Sequence, residues 1–134
     1  MTVHLGYTII YVADVGSTIA FYTSAFGLRE RFVTAEGDYG ELDTGATTLA
    51  FASNDLAESN LSTAGGFTRL DPTMPPPPVS LTLVTDDVAA TVDAAVASGA
   101  RPYVAPTDKP WGQTVAYVLD PNGVLVEVAT PVRS

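Results

Sequence analysis

One acidic side chain interrupts an apolar stretch near the C-terminal end of this sequence. Glu127 follows Val124, Leu125 and Val126 and precedes Val128. A carboxylate in such a stretch must face water, a partner or a cavity, because burying an unpaired charge is costly. Strand alternation also permits a simpler interpretation, in which Glu127 faces water on an antiparallel strand. The sequence therefore leaves two interpretations of Glu127, a ligand-binding group or a solvated strand residue.

Other reactive side chains are scarce. The chain has one histidine, His4, and no cysteine, which excludes disulfides, thiolate nucleophiles and cysteine metal sites. No serine nucleophile elbow, phosphate-binding glycine loop or dinucleotide fingerprint occurs. General acid–base catalysis by Glu127 stays open, but the sequence offers no evident partner for it. We therefore predict no catalytic residue.

Composition indicates one globular domain, or two small halves that share a core. The 134 residues are 46% hydrophobic and 16% charged, whereas disordered chains combine low hydrophobicity with high net charge. No apolar run reaches the roughly 18 residues that a membrane-spanning helix needs. The first residues lack a basic region ahead of their apolar run, so we expect no secretory signal and a cytoplasmic location.

The charge balance argues against one class of partner. The chain carries 15 acidic and 6 basic residues, a formal net charge of −9, and nucleic-acid-binding proteins carry basic surfaces. This acidity modestly favours a cationic or neutral small molecule as the ligand, although it also serves solubility alone. We therefore expect no nucleic-acid partner and no membrane partner.

The first 52 residues are predicted to form a strand, a helix and three strands. Val3–Val12 is rich in β-branched residues, and Val15–Phe26 carries apolar residues at helical spacing. Asp14 or Ser17 can cap that helix, and Gly27 can end it in the left-handed conformation. The three following strands are predicted at Leu28–Thr34, Tyr39–Asp43 and Thr47–Ala52.

Residues 53–78 lack a regular apolar pattern and are predicted to be a linker. The segment holds five of the ten prolines, four of them consecutive at Pro75–Pro78. Consecutive prolines favour an extended chain without internal hydrogen bonds. Leu56–Leu61 can form a helical turn.

Residues 79–134 repeat the pattern of the first part. Asp87 is predicted to cap a helix that ends at Gly99. The last two strands are predicted to form a hairpin, because Pro followed by Asn-Gly between two apolar runs is typical of a chain reversal. The predicted elements are a strand at Val79–Val84, a strand at Arg101–Ala105, a turn at Pro106–Pro110, and strands at Val115–Leu119 and Val124–Val128 around Asp120–Gly123.

Two short matches relate the halves. Ile10–Val15 matches Leu83–Val88 at an offset of 73, and Tyr39-Gly40-Glu41 matches Trp111-Gly112-Gln113 at an offset of 72. A duplicated unit of this kind predicts an α+β fold with two βαβββ modules. We expect each module to form a curved sheet with its helix outside, and the inner faces to enclose a cleft.

The ordered motifs resemble one family, the glyoxalase, bleomycin-resistance and extradiol dioxygenase group, also called the vicinal oxygen chelate superfamily. The resemblance covers nearly the whole chain. It implies paired βαβββ modules, usually in a homodimer, and metal ligands on the first and fourth strands of each module in the metal-dependent members. The motifs that carry it are Tyr11–Asp14, Phe21-Tyr22, Phe26–Leu28, Asp86–Val88 and Asp120–Gly123 leading to Glu127.

Carried onto this sequence, the four metal positions of the family fall at Tyr7, Ala50, Ser80 and Glu127. Only Glu127 is an ordinary metal ligand, whereas a catalytic metal takes about three protein ligands. His4 lies three residues before Tyr7, so strand alternation predicts that it points to the opposite face. We therefore expect neither a metal nor another cofactor.

Small side chains and aromatic rings are expected to line the cleft in place of a metal. Thr48, Ala50 and Ala52 would share one strand face, as would Ser80 and Thr82. Trp111 is the leading candidate for a ring that stacks on a flat ligand, although a buried loop anchor is the alternative for it. The predicted ligand-binding residues are Tyr7, Tyr39, Ala50, Ser80, Trp111, Gln113 and Glu127, and further rim candidates are Tyr11, Tyr103 and Tyr117.

The absent metal ligands favour one function over another. We expect a small-molecule binding protein that resembles the bleomycin-resistance proteins, which protect by sequestering a toxic compound, with an aromatic or cationic natural product as its ligand. The alternative is a metal-dependent glyoxalase-like or dioxygenase-like enzyme with an atypical site. The family resemblance also implies a homodimer.

Overall fold

Eight strands and three α-helices follow one another in the computed structural model, which describes residues 2–132. The order is strand, helix and three strands, twice over, with an additional helix and a short 3-10 helix (Ser62–Ala64) between the two copies. The strands are β1 Tyr7–Val12, β2 Arg29–Val33, β3 Tyr39–Asp43, β4 Thr48–Ser53, β5 Ser80–Val84, β6 Arg101–Asp108, β7 Thr114–Leu119 and β8 Leu125–Ala129; the helices are α1 Val15–Phe26, α2 Asn54–Leu61 and α3 Val88–Ala97.

The chain divides into two compact units. Unit 1 contains β1–β4, most of α1, and α2, and its last residue is Leu70. Unit 2 begins again at Asp71 and contains β5–β8 and α3, and Ser24–Phe26 at the end of α1 is grouped with it. The boundaries predicted at residues 53 and 78 stay predictions. No helix within residues 2–132 is long and apolar enough to cross a membrane.

The two sheets have the same strand order. It is β1-β4-β3-β2 in unit 1 and β5-β8-β7-β6 in unit 2. The first strand of each unit pairs parallel with the last, and the remaining pairs are antiparallel. The predicted α+β fold with two βαβββ modules is therefore confirmed.

Helix α1 covers one face of the unit 1 sheet. Its Tyr22 is fully buried and stacks on Phe51 of β4, with ring centroids 5.2 Å apart. Gly40 of β3 lies against Val15 and Ile19 of the same helix, so closely that an added Cβ would stand 3.2–3.3 Å from their side chains. Because strand neighbours alternate between faces, the residues next to Phe51 and Gly40 belong to the other face.

The helix ends follow local chemistry that is visible in the sequence. Asp14 is the N-cap of α1 and accepts a hydrogen bond from the Ser17 amide, whereas Asp87 caps α3 and accepts one from Ala90. Gly27 ends α1 with a positive φ of 69°, a conformation that glycine adopts without steric cost. The predicted caps are confirmed, with Asp14 rather than Ser17 at the N-cap of α1.

The predicted hairpin is also confirmed, and a buried aspartate holds its turn. Asp120 is 1% exposed, and its Oδ1 accepts hydrogen bonds from the amides of Asn122 (2.8 Å) and Val124 (2.9 Å). The Gly123 amide donates to the Asp120 carbonyl at 3.0 Å. An Asx turn of this kind fixes the reversal that joins β7 to β8.

Three predicted elements differ from those in the structure. The strand predicted from Val3 begins at Tyr7. The turn predicted at residues 106–110 is wrong in its first part, because β6 continues to Asp108 through two register shifts against β7. The helical turn predicted at Leu56–Leu61 is part of a longer helix, α2, which begins at Asn54 because Ser53 caps it through a hydrogen bond from Leu56.

Candidate functional site

The seven predicted ligand-binding residues form two sets, one in each unit. Tyr7, Tyr39 and Ala50 lie on β1, β3 and β4 of unit 1. In unit 2, Ser80 and Glu127 lie on β5 and β8, and Trp111 and Gln113 lie in the loop between β6 and β7.

Strand pairing defines one line of residues across the middle of each sheet, which we call the central row. In unit 2 the partners are Thr82 of β5, Glu127 of β8, Tyr117 of β7 and Val104 of β6. In unit 1 the equivalent partners are Ile9, Ala50, Glu41 and Phe32. The two rows can be compared position by position because the sheets share one topology.

Glu127 of the unit 2 central row is held by two neutral hydroxyl groups. Thr82 donates to its Oε1 and Tyr117 donates to its Oε2, each at 2.7 Å. The hydrogen bond from Tyr117 to the carboxylate, with smaller effects of burial and of the charge, raises the pKa of Tyr117. Tyr117 therefore stays protonated and continues to donate. Among residues 2–132, no lysine, arginine or histidine forms an ion pair with this carboxylate.

Glu127 is only half-buried, whereas its strand neighbours Val126 and Val128 are completely buried. This alternation places the carboxylate on the face opposite to the apolar pair. The two interpretations of Glu127, a ligand-binding group and a solvated strand residue, therefore stay predictions.

In unit 1, a different strand carries the carboxylate of the central row. Ala50 occupies the position of Glu127, and its partner on β3 is Glu41, which occupies the position of Tyr117. Glu41 is 7% exposed and Ala50 is fully buried. The face was predicted to have small, mostly neutral walls, and the prediction overlooked this buried charge.

Arg31 neutralises Glu41. Its Nη1 lies 3.1 Å from Glu41 Oε1 and 3.0 Å from Thr48 Oγ1, and its Nη2 lies 3.5 Å from Asp43 Oδ1. The Tyr39 hydroxyl donates to the other Glu41 oxygen at 2.7 Å. Burial, followed by the hydrogen bond to Glu41 and its charge, raises the pKa of Tyr39 to about 12. Tyr39 therefore forms part of a closed polar network.

The loop between β6 and β7 fixes Trp111 through a chain of hydrogen bonds. The indole Nε1 donates to Gln113 Oε1 at 2.7 Å, and Gln113 Nε2 donates to the Thr130 carbonyl at 2.9 Å. Trp111 is nevertheless 57% exposed. It is therefore an oriented ring at the surface, and the alternative of a buried loop anchor does not fit it.

The predicted equivalence of Tyr39 with Trp111 is wrong. Tyr39 pairs with Ala52, and the matching pair in unit 2 is Val115 with Ala129. The true offset between β3 and β7 is therefore 76 residues, the difference between 115 and 39. The offset is larger than the predicted 72 because β6 and the loop after it are together longer than β2 and its loop. The similar Tyr-Gly and Trp-Gly pairs suggested the wrong alignment.

The four positions that hold metal ligands in the family carry few metal-binding side chains in this protein. Tyr7 and Ser80 are exposed and Ala50 has no donor atom, which leaves Glu127 alone. His4 precedes β1, so the predicted position on the opposite face of that strand does not apply to it. Across residues 2–132, no three side chains of His, Cys, Asp or Glu cluster in a way that could hold a metal ion. These residues do not fit a catalytic divalent metal.

A family model and several solved structures match this chain. The model of the Glyoxalase/Bleomycin resistance protein/Dioxygenase superfamily matches residues 4–128. No curated protein sequence matches the chain significantly.

Three solved structures illustrate the likeness in fold. A glyoxalase/bleomycin resistance protein/dioxygenase family enzyme from Burkholderia phytofirmans PsJN is 23% identical, with a TM-score of 0.79 over 98% of this chain and 100% of that one. A glyoxalase-related enzyme from Fulvimarina pelagi is 19% identical, with a TM-score of 0.78 over 96% and 88% of the two chains. TioX from Micromonospora sp. ML1 is 19% identical, with a TM-score of 0.67 over 96% and 98%.

Proposed function

The chain belongs to the glyoxalase/bleomycin resistance protein/dioxygenase superfamily, and on that basis we propose that it binds a small molecule and sequesters it without catalysis. The binding surface is the face of the unit 2 sheet that carries Glu127. The ligand is an aromatic or cationic compound, because the surface offers a carboxylate and an oriented ring. An antibiotic or another toxic natural product is the class that sequestration would serve.

The observation that carries this proposal is the state of Glu127. Its carboxylate is half-buried, is fixed by Thr82 and Tyr117, and has no ion pair within residues 2–132. A carboxylate has about four acceptor directions, and the two hydroxyl groups use only two of them. The remaining capacity suits a hydrogen-bond-donating or cationic ligand, which would gain charge-assisted hydrogen bonds.

A thermal-shift screen of aromatic and cationic natural products tests the proposal. A ligand present at 100 times its dissociation constant should stabilise the protein by about 2.7 kcal/mol. Glu127→Gln should then weaken the binding of each cationic hit. Asp93→Asn is the matched control, because Asp93 is an exposed acid on α3 of the same unit. A screen without hits, or equal loss of affinity in both variants, would contradict the proposal.

Trp111 is proposed as the second contact of the ligand. Its ring is oriented by Gln113, which is bonded to the Thr130 carbonyl. Both ends of the Gln113 amide are therefore engaged, so we expect Gln113 to act through Trp111 rather than on the ligand directly. Thr130 lies three positions after Glu127, so Gln113 anchors Trp111 near the end of β8, the strand that carries Glu127.

Trp111 is the only tryptophan of the chain, so its fluorescence reports on this contact. Ligand binding should shift or quench the emission, and Trp111→Ala should weaken affinity by about 1–3 kcal/mol, the scale of an aromatic anchor. Because the ring is 57% exposed, the variant should keep nearly all of its stability. Unchanged affinity in Trp111→Ala would remove Trp111 from the proposed site.

Of the other predicted ligand-binding residues, Ser80 belongs to the unit 2 sheet and stays a proposed contact of lower rank, whereas Tyr7, Tyr39 and Ala50 belong to unit 1 and stay predictions apart from the proposed surface. Tyr39 is bonded to Glu41, and Ala50 is buried, so only Tyr7 and Ser80 present exposed polar side chains. A homodimer stays a prediction as well, and light scattering tests it. A mass that remains at the monomer value of 14.0 kDa up to high concentration would contradict it. A cytoplasmic location is likewise proposed, and cell fractionation tests it.

The competing function is that of a metal-dependent enzyme. The donor set at Tyr7, Ala50, Ser80 and Glu127 argues against it, because one carboxylate does not replace about three ligands. Metal analysis of the purified protein separates the two functions. Stoichiometric divalent metal that resists dialysis, and that Glu127→Gln removes, would overturn the sequestration proposal.

A further inference from the structure

A bulge in the edge strand of each unit occupies the same place in the sheet. In β2 the register shifts between Glu30 and Phe32, so Arg31 is the extra residue. In β6 the first shift lies between Pro102 and Val104, so Tyr103 is the extra residue. The neighbours on the next strand are equivalent, because Phe32 pairs with Glu41 as Val104 pairs with Tyr117. Arg31 and Tyr103 are therefore structural counterparts.

Unit 1 demonstrates how a cation fits this face of the sheet. From its bulge position on β2, Arg31 reaches Glu41 on β3 and Thr48 on β4, at 3.1 and 3.0 Å. One planar guanidinium group thereby donates to a carboxylate and a hydroxyl, and its second nitrogen faces a further carboxylate at 3.5 Å. The rigid fork of donors suits such a set of acceptors.

Unit 2 has a related set of acceptors, and no cation within residues 2–132 forms an ion pair with its carboxylate. Glu127 supplies the carboxylate, and Thr82 and Tyr117 supply hydroxyl oxygens, both of which also have lone pairs. The counterpart of Arg31 is Tyr103, a neutral side chain that is 52% exposed. Nothing within residues 2–132 neutralises Glu127 as Arg31 neutralises Glu41.

We propose that the ligand of unit 2 carries a planar cation with several N–H donors, a guanidinium or an amidinium group, which binds Glu127 as Arg31 binds Glu41. This inference rests on the proposed binding function and makes its ligand class specific. A planar cation donates to the carboxylate through two parallel N–H groups, whereas an ammonium ion acts as a point charge. The ligand thus supplies in unit 2 the group that the chain itself supplies in unit 1.

Three small probes with one ring test the ligand class, namely benzamidine, benzylamine and the neutral benzamide. Each is titrated into the full chain at millimolar concentrations while ¹H–¹⁵N NMR spectra follow the amides of Thr82, Tyr117 and Glu127. We expect benzamidine to bind at least about tenfold more tightly than benzamide, the scale of one charge-assisted hydrogen bond, and more tightly than benzylamine. The preference for benzamidine should disappear in Glu127→Gln and persist in Asp93→Asn.

A substitution at the bulge provides an independent test. Tyr103→Arg should place a guanidinium beside Glu127 and abolish benzamidine binding, since Arg31 reaches the strand two away from its own. Tyr103→Leu is the matched neutral variant and should retain the preference for benzamidine. Thermal unfolding of both variants confirms that they are folded.

The outcomes separate this inference from the proposed function. Equal binding of benzamidine and benzamide at the unit 2 amides would overturn the planar-cation class and leave a binding surface in place. Stronger binding of benzylamine, or a preference that survives Glu127→Gln, would also overturn it. A lack of response to all three probes would overturn the inference, while the broad ligand screen decides the proposed function separately.

Discussion

The carboxylate of the central row lies on β3 as Glu41 in unit 1, whereas it lies on β8 as Glu127 in unit 2. Each accepts a tyrosine hydroxyl at 2.7 Å, from Tyr39 in the first case and Tyr117 in the second. Their surroundings differ in charge. Glu41 is buried and paired with Arg31, while Glu127 is half-buried and, among residues 2–132, is fixed by neutral groups.

We propose that this difference separates a structural use of the Glu41 carboxylate from a binding use of the Glu127 carboxylate. A buried charge needs its partner, because desolvation without compensation costs several kcal/mol. A half-buried carboxylate whose oxygens can accept further hydrogen bonds can bind a partner from solution. The two units therefore contain similar carboxylates, Glu41 and Glu127, in different surroundings. Substitutions at the two positions can be compared directly.

The largest expected effect is on unit 1 stability. Arg31→Met leaves Glu41 buried without its cation and should lower the free energy of unfolding by about 3 kcal/mol, at the lower end for a buried pair because Arg31 is partly exposed. Urea denaturation at neutral pH measures the loss. Arg29→Met is the matched control and should cost less than about 1 kcal/mol, since the Arg29 side chain is 82% exposed. Equal losses would contradict the structural role of Arg31.

The second effect is a pH dependence in unit 1. The folded state holds the Tyr39 proton up to a pKa of about 12, whereas the reference value is 10.0. The contribution of Tyr39 is therefore complete below pH 10 and is lost as the pH rises through 12, by about 1–2 kcal/mol once the full shift is reduced for solvent screening. Urea midpoints from pH 9 to 12 measure the loss. In Tyr39→Phe the curve should be flatter over that range than in the wild type, and identical curves would show that Tyr39 is not the group responsible.

The third effect compares the turns that join the last two strands of each unit. Gly45 and Gly123 both have positive φ, at 99° and 91°, so alanine strains both. An added Cβ at Gly45 meets nothing, whereas one at Gly123 would lie 3.0 Å from the Pro72 Cα. Gly123→Ala should therefore cost about 1–2 kcal/mol more than Gly45→Ala, the scale of overpacking. Thermal unfolding of the two variants provides the comparison, and equal costs would mean that the linker moves aside.

The smallest effect should occur at Glu127 itself. Glu127→Gln should change the free energy of unfolding by less than about 1 kcal/mol, because the amide oxygen still accepts a hydroxyl hydrogen and none of the ion pairs within residues 2–132 involves Glu127. Glu41→Gln should cost about 2 kcal/mol, since Arg31 then loses a charged partner. Urea denaturation of both variants tests the contrast. A larger loss at Glu127 than at Glu41 would reverse the assignment of structural and binding roles.

The sequence pattern identifies Glu127 but not Glu41, because only Glu127 differs sharply in polarity from the residues on either side of it. Glu127 stands out because it interrupts a run of valine and leucine. Glu41 lies in the short strand Tyr39–Asp43, which has another acid and no long apolar run. Glu41 is buried because β3 lies between β2 and β4 in the sheet. No local sequence pattern indicates this central position of the strand.

The sequence by itself determined the features that depend on residues within about four positions of one another. These are the caps at Asp14 and Asp87, the end of α1 at Gly27 and the turn at Asp120. Each is a hydrogen bond or a backbone conformation between close neighbours, so the residue types alone specify it.

Only the tertiary structure decided which side chains face one another across the sheets. The pairing of Glu41 with Ala50, and of Tyr117 with Glu127, depends on register between strands that are distant in sequence. Bulges change that register by one residue and move Arg31 onto the carboxylate of a neighbouring strand. A one-residue shift exchanges the faces of a strand, and its position follows from packing of the whole sheet rather than from the local sequence.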